Sequence, residues 1–169
     1  MDEWIKVLKF DNSQTPVNIV KIVKENGFEV GNLFDKKRMQ YCLLAANVNF
    51  NGGRKTIAVS SRLPLVNKRV FVAFAFGYYF QNIEELELRK KGKFFLKIED
   101  LDVYRKLEED KEILDFVLEL LLPKERIQEE LKTKTGLLPN TIIMILASKY
   151  QVPEFLAKKR LESFMDTKK

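Results

Sequence analysis

Apolar and polar positions along the chain outline a series of short elements. Thr15-Pro16 reads as an N-cap followed by proline at the first helical position, and Val17, Val20 and Val23 then share one helical face. Asn26-Gly27 closes that helix, with Gly27 suited to a left-handed C-terminal position. Phe28 to Val30 follows as a short extended piece. Tyr41 to Phe50 and Lys55 to Ser60 are apolar, strand-like runs on either side of Asn51-Gly52-Gly53. Glycines there supply the positive φ of a tight turn, so an antiparallel hairpin is expected. Asn67 is placed to cap the next element, the run from Val70 to Phe80. Its Val, Phe and Tyr content suits a buried strand, while its length and the polar residues ahead of it suit a buried helix. The hydrophobic period does not choose between them.

Beyond that run the chain turns polar. Ile83 to Lys93 reads as a solvated connection, with a partner surface as the alternative, and Phe94-Phe95-Leu96 as a short strand or loop anchor. From about Leu101 the pattern is helical: Leu107, Ile113, Leu114, Phe116, Val117, Leu120 and Leu121 recur at three- and four-residue steps. Pro123 ends that helix or begins the next. Lys124 to Lys134 predicts an exposed helix stopped near Gly136. Pro139 to Lys149 and Pro153 to Phe164, separated by Tyr150-Gln151-Val152, have a helix–turn–helix outline. No internal repeat is evident.

Composition narrows the chemistry more than the architecture. At 169 residues, 46% hydrophobic and 32% charged, the chain suits one globular domain, or one with a helical extension. A single cysteine, Cys42, excludes an internal disulfide framework and any cysteine-rich zinc module; with apolar, strand-like neighbours and no base to activate it, it reads as a small buried hydrophobe. The chain has no histidine at all. Histidine-ligated zinc, Ser-His-Asp and Cys-His nucleophiles and histidine acid–base catalysis are therefore excluded. A net charge of +6 permits contact with nucleic acid or acidic partners without demanding it, because the charges are mixed along most of the chain. Met1-Asp2-Glu3 is acidic and no apolar core follows, so no secretory signal is read. The apolar run from Val70 is shorter than the roughly 20 residues that span a bilayer. A soluble, cytoplasmic protein is expected.

Four segments, in order, resemble the ImmA/IrrE family of zinc metallopeptidases. That family occurs on mobile genetic elements, in phages and in stress-response operons, and cleaves or inactivates helix–turn–helix repressors. Arg69-Val70-Phe71-Val72-Ala73-Phe74-Ala75-Phe76-Gly77-Tyr78-Tyr79 is similar to its H-E-x-x-H helix at Arg69, Ala73, Gly77 and Tyr79. Glu112 to Pro123 is similar to its E-A-N-x-F-A-x-x-L-L-M-P helix at Glu112, Phe116, Leu120, Leu121 and Pro123. Leu146-Ala147-Ser148-Lys149-Tyr150-Gln151-Val152-Pro153 follows the C-terminal L-A-x-x-F-x-V-S, and Thr56 to Ser60 stands where the family has its edge strand. The resemblance implies an α+β, zincin-like fold with a small antiparallel sheet. It implies a zincin-like domain over residues 1–136 and a helix–turn–helix-like pair over 137–169, packed on the same domain.

The departures fall on the chemistry. In the family, two histidines one helical turn apart face one metal, and the glutamate beside the first activates a bound water. Phe74, Ala75 and Tyr78 stand at those positions here, and the later carboxylate ligand falls at Glu112, with Glu109 as an alternative. Neither Phe nor Ala can ligate a metal. No metal and no cofactor is expected, and Phe74 and Tyr78 are placed to plug the emptied cleft as an aromatic pair.

Three functions remain open. The first is a catalytically inactive ImmA/IrrE-like protein, a phage or mobile-element regulator that binds a protein such as a repressor. The second is a DNA-binding regulator that uses the C-terminal helical pair, with Lys158, Lys159 and Arg160 on phosphates between Glu154 and Glu162. The third is an atypical metallopeptidase with Tyr78, Glu112 and Asp115 as ligands. Phe74, Phe76, Tyr78 and Tyr79 either line a groove or pack in the core, and Glu112 is either a relic ligand or an ordinary surface residue. Asn51-Gly52-Gly53 lacks the pattern of a phosphate-binding loop and reads as a hairpin turn.

Overall fold

The computed structural model describes residues 14–33, 41–47, 55–83 and 93–166, with the backbone alone described at 41–47, 93–102 and 165–166. The expected turn at Asn51-Gly52-Gly53, the charged connection from Glu84 and the N-terminal Met1-Asp2-Glu3 lie outside the described residues.

Asn18, not Thr15, starts the first helix. Its side-chain oxygen accepts the N–H of Lys21 at 3.0 Å, and α1 runs Ile19–Glu25. The Thr15 hydroxyl is engaged elsewhere, accepting from the Arg126 guanidinium at 2.6 Å. Ile19, Ile22 and Val23 turn inward, and Val17, just ahead of the helix, is buried too; of the expected Val17-Val20-Val23 stripe only Val20 is corrected, at 38% exposed. Gly27, with φ of 85°, reverses the chain into β1, Phe28–Leu33.

β2, Tyr41–Asn47, and β3, Lys55–Ser60, are antiparallel, with Cys42 opposite Val59. β3 also pairs with β1, and in parallel, with Phe28 opposite Lys55. β4, Lys93–Glu99, lies antiparallel on the far side of β2, giving the order β1-β3-β2-β4. The expected small antiparallel sheet is therefore corrected to a mixed one. The β2–β3 pair docks onto β1 through its second strand, and that strand runs in the direction of β1. β3 is interior, which corrects the edge position that the resemblance implies for Thr56 to Ser60. Covered on both sides, it buries Ile57, Ala58, Val59 and Ser60 in succession.

The run in the seventies is a helix. α2 spans Leu65–Gln81, with Pro64 just ahead of it, so Asn67 lies inside its first turn and caps nothing. Every residue from Arg69 to Gly77 is buried. β-branched and aromatic residues disfavour a helix locally, but one wrapped by other elements has no polar face to keep. Here α2 packs on β2, β3, α1 and the later α4. Asn82 closes it, its backbone and side-chain N–H groups both donating to the Tyr78 carbonyl.

The long helical pattern from Leu101 divides in two. α3 covers Asp100–Glu109 and α4 Lys111–Leu121, split at Asp110, whose carboxylate accepts the Ile113 N–H at 3.1 Å. α5, Lys124–Lys132, starts after Pro123 and buries only Ile127. α6, Pro139–Tyr150, and α7, Glu154–Asp166, meet at Gln151, a left-handed residue with φ of 51°. The Val152 N–H reaches back to the Ala147 carbonyl at 3.0 Å to close α6. Leu146, Tyr150 and Leu156 belong to the same core cluster as Phe71, Phe74 and Phe116. Among the described residues no helix is long and apolar enough to cross a membrane.

Candidate functional site

Packing between α2 and α4 decides what the motif-like residues can do. Gly77 lets the two helices close on each other: a Cβ there would lie 2.7 Å from Cδ1 of Phe116. Phe76 packs on Phe116 with centroids 6.0 Å apart, and Phe28 meets Phe76 and Tyr79 edge-on at 5.3 and 5.0 Å. Phe74 and Ala75 are completely buried. Tyr78, one turn on, is half-buried and stacks on Phe74 at 6.0 Å with the rings 29° apart. Of the four aromatics weighed as groove lining, Phe74, Phe76 and Tyr79 are core and Tyr78 alone reaches a cavity.

That cavity holds about 390 Å³ and is bounded by Tyr78, Lys106, Glu109, Asp110, Lys111, Glu112 and Ile113. The Lys106 ammonium stands 5.9 Å from the centre of the Tyr78 ring. Asp110 forms its corner. Besides capping α4, its carboxylate accepts from the Gln81 amide at 2.9 Å, which ties the end of α2 to the start of α4. Glu112 is exposed in the first turn of α4, and Glu109 pairs loosely with Arg105 at 3.9 Å. Tyr78 and Glu112 therefore share this cavity, whereas Phe74 and Ala75 are buried in the core and, like Asp115, are not among its lining residues.

These residues do not fit zinc. A zinc site needs at least three nitrogen, sulfur or oxygen donors converging on one point. Phe74 and Ala75 have none, and Tyr78 and Glu112 supply oxygen only. Among the described residues no three His, Cys, Asp or Glu side chains gather closely enough to hold a metal ion.

Two buried arginines that the sequence pattern does not single out as structural tie the helices together, and neither lines this cavity. Arg69 donates through Nε to the Gln151 carbonyl at 3.1 Å and through a terminal nitrogen to the Tyr150 carbonyl at 3.3 Å. Its charge thus sits on the carbonyl end of α6, where the helix dipole favours a cation. Arg160 does the same for α4: Nε donates to the Leu122 carbonyl at 2.8 Å, while a terminal nitrogen meets Glu119 at 2.9 Å. Burial pulls both guanidinium pKa values below the ordinary arginine value, and Glu119 opposes this at Arg160. Arg160 therefore points into the fold, which corrects its assignment to nucleic-acid contact. Lys158 and Lys159 are on the surface of α7 and face Glu162 at 3.9 and 3.6 Å. The signal in the sequence was the position of Arg69, which heads an uncharged run; Arg160, beside two lysines, gave none.

A third polar knot lies behind α6. The Tyr150 hydroxyl donates to Glu130 at 2.6 Å and Lys149 pairs with the same carboxylate oxygen at 2.7 Å. Burial would raise the Glu130 pKa. The hydrogen bonds from Lys149 and Tyr150 and the charges of Lys149 and Lys134 outweigh it, and the carboxyl stays below the usual glutamate value. Burial and the Glu130 carboxylate push the Tyr150 phenol well above its ordinary pKa.

No protein-family model, curated protein or solved structure matches this chain. What the geometry defines is an α+β protein with a mixed sheet and a helical majority, and a mixed-charge cavity at the α2–α4 junction.

Proposed function

We propose that the chain is a metal-free, catalytically inactive relative of the ImmA/IrrE peptidases. In this proposal it is a phage or mobile-element regulator that works in the cytoplasm by binding a protein partner, a helix–turn–helix repressor in the first instance. The observation that carries this is the convergence of the three motif-like helical segments. Gly77 of the first lies against Phe116 of the second, and Arg69 of the first grips the Tyr150 and Gln151 carbonyls of the third. That Arg69, Gly77 and Phe116, which carry the resemblance, make these contacts supports the reading. The cavity beside Tyr78 is the binding surface in this proposal: it keeps a docking shape where a metal-holding set is lacking, and shape and polar complementarity suffice for binding. The buried Arg160 and the engagement of Lys158 and Lys159 with Glu162 weigh against the DNA-binding alternative.

Copurification from the native host tests the proposal. The tagged full chain is compared with a Tyr78→Ala/Lys106→Glu double variant. A helix–turn–helix regulator held by the parent and lost from the variant supports it. Equal recovery by both, or none by either, overturns it. Elemental analysis finding about one zinc per chain overturns the metal-free part.

A further inference from the structure

The sheet ends on β1, whose outer flank has no partner among the described strands. Beside it lies a second cavity, of about 230 Å³, between the start of α1, β1 and the first turns of α2. Ile19, Val30, Val59 and Val72 give it an apolar floor. Two apolar side chains stand at its rim: Val20 is 38% exposed and Leu65 63%. Lys68 is at that rim too, and its ammonium has no ion-pair partner among the described residues. Arg69, also at the cavity, is committed to the α6 carbonyls.

Gly31 sits within β1, outside the left-handed region, and a Cβ there would meet nothing within 4 Å. Neither the backbone conformation nor packing among the described residues calls for glycine at this point. A glycine inside a strand suits a bulge, a bend or a place where a ligand or another backbone comes close, and the strand here is paired regularly without a bulge.

We propose that this edge and cavity dock an extended segment of an acidic partner protein. The segment adds to β1 as a further strand, places one leucine- or phenylalanine-sized side chain in the cavity and sets a carboxylate against Lys68. Size argues for a peptide over a free ligand, because the cavity falls below the ~300 Å³ at which small-molecule sites begin. An apolar hollow beside an open strand edge takes alternate side chains of an added strand, while main-chain hydrogen bonds supply affinity. Lys68, with no ion-pair partner among the described residues, and the +6 net charge select an acidic segment. None of these residues is shared with the cavity beside Tyr78.

The test is an NMR titration of the isotope-labelled full chain with a short blocked peptide carrying a central leucine, flanking valines and glutamates. Amide shifts are expected at Val30, Gly31, Asn32, Leu65 and Lys68, with slowed amide exchange along β1. Replacing the leucine of the peptide by alanine weakens binding about tenfold or more. The Lys68→Glu variant, at a position where folding is retained (checked by far-UV circular dichroism), weakens the acidic peptide about tenfold and binds a lysine-substituted peptide better than the parent does. Leu65→Asp, at a more exposed position, is the second variant and weakens both peptides. No shift along β1 at about 1 mM peptide overturns the proposal. So does equal binding of acidic and basic peptides, or reproduction of the same shifts by octanoate alone. Shifts confined to Tyr78, Lys106 and Glu112 overturn it as well, and assign the peptide to the other cavity.

Discussion

Two of the uncharged stretches of this chain, Val70 to Ile83 and Thr135 to Ser148, are each fourteen residues long. Both fold largely as helix, α2 and α6, and their fates differ. α2 is enclosed by the sheet, α1 and α4, and its Arg69–Gly77 segment is wholly buried. α6 has α7 as its main neighbour, and Met144 within it is 61% exposed and Leu138 just ahead of it 73%. An uncharged run is thus compatible with the centre of a core or with its rim. What separates them is the number of elements that arrive to cover it, together with the buried arginine that ties one to the other. Arg69 anchors the covered helix to the carbonyl end of the half-covered one.

Substitutions graded by burial test this contrast. The largest effect is expected at Phe74→Ala, which removes a fully buried ring and should cost about 3–5 kcal/mol in urea denaturation. A loss below about 1 kcal/mol would mean that the ring lies in an open cleft and that α2 is not the enclosed member of the pair.

Arg69→Met should follow, at about 2–3 kcal/mol, because two carbonyls at the end of α6 lose a charged donor inside the fold. Arg69→Lys should recover little of this, since an ammonium cannot span both acceptors as the guanidinium fork does. Full recovery by lysine would reduce the anchor to simple charge.

Gly77→Ala sets two effects against each other. Alanine favours a helix by about 1 kcal/mol over glycine. The new methyl, however, lands 2.7 Å from the buried Phe116 ring. Overpacking of this kind costs about 1–3 kcal/mol, so net destabilisation is expected, visible as a lower melting temperature. A stabilised variant would show that α2 and α4 can part.

Glu130 gives the contrast a pH dependence on the α6 side. Its pKa is lower in the folded chain than the ordinary 4.5, so its contribution is fully present above that value and fades as pH falls through the folded value. Glu130→Gln should cost about 1 kcal/mol at neutral pH and flatten the acid limb of a stability–pH curve, while the α2 variants should leave that limb unchanged. The smallest effect belongs to Leu138→Ser and Met144→Ser. At these exposed positions stability should stay within about 0.5 kcal/mol of the parent. A larger loss in thermal melts would show that α6 is covered after all.

Particular residues show how far the sequence could be read. Asn26-Gly27, Pro123 and Pro139 mark element boundaries in the structure as their local chemistry suggests, because a cap or a missing N–H acts within one turn. Asn18 took the cap expected of Thr15, since two candidate caps a few residues apart are separated only by which can fold back on the helix start. Asp110 divided one long apolar period into two helices without disturbing its spacing, so the period alone could not reveal the break. At the site, the lack of histidine and the identities of Phe74, Ala75, Tyr78 and Glu112 were legible. That Tyr78 and Glu112 share a cavity while Phe74 and Ala75 are buried in the core was not.

By itself, then, the sequence determined the boundaries at Asn26-Gly27, Pro123 and Pro139 and removed histidine chemistry, because those depend on single side chains and their immediate neighbours. Only the tertiary structure decided that the Val70 run is a helix, that β3 lies inside a mixed sheet and that Arg160 turns inward. Each of those outcomes depends on surfaces contributed from far along the chain, and a uniformly apolar run or a cluster of three cations carries no record of what will cover it.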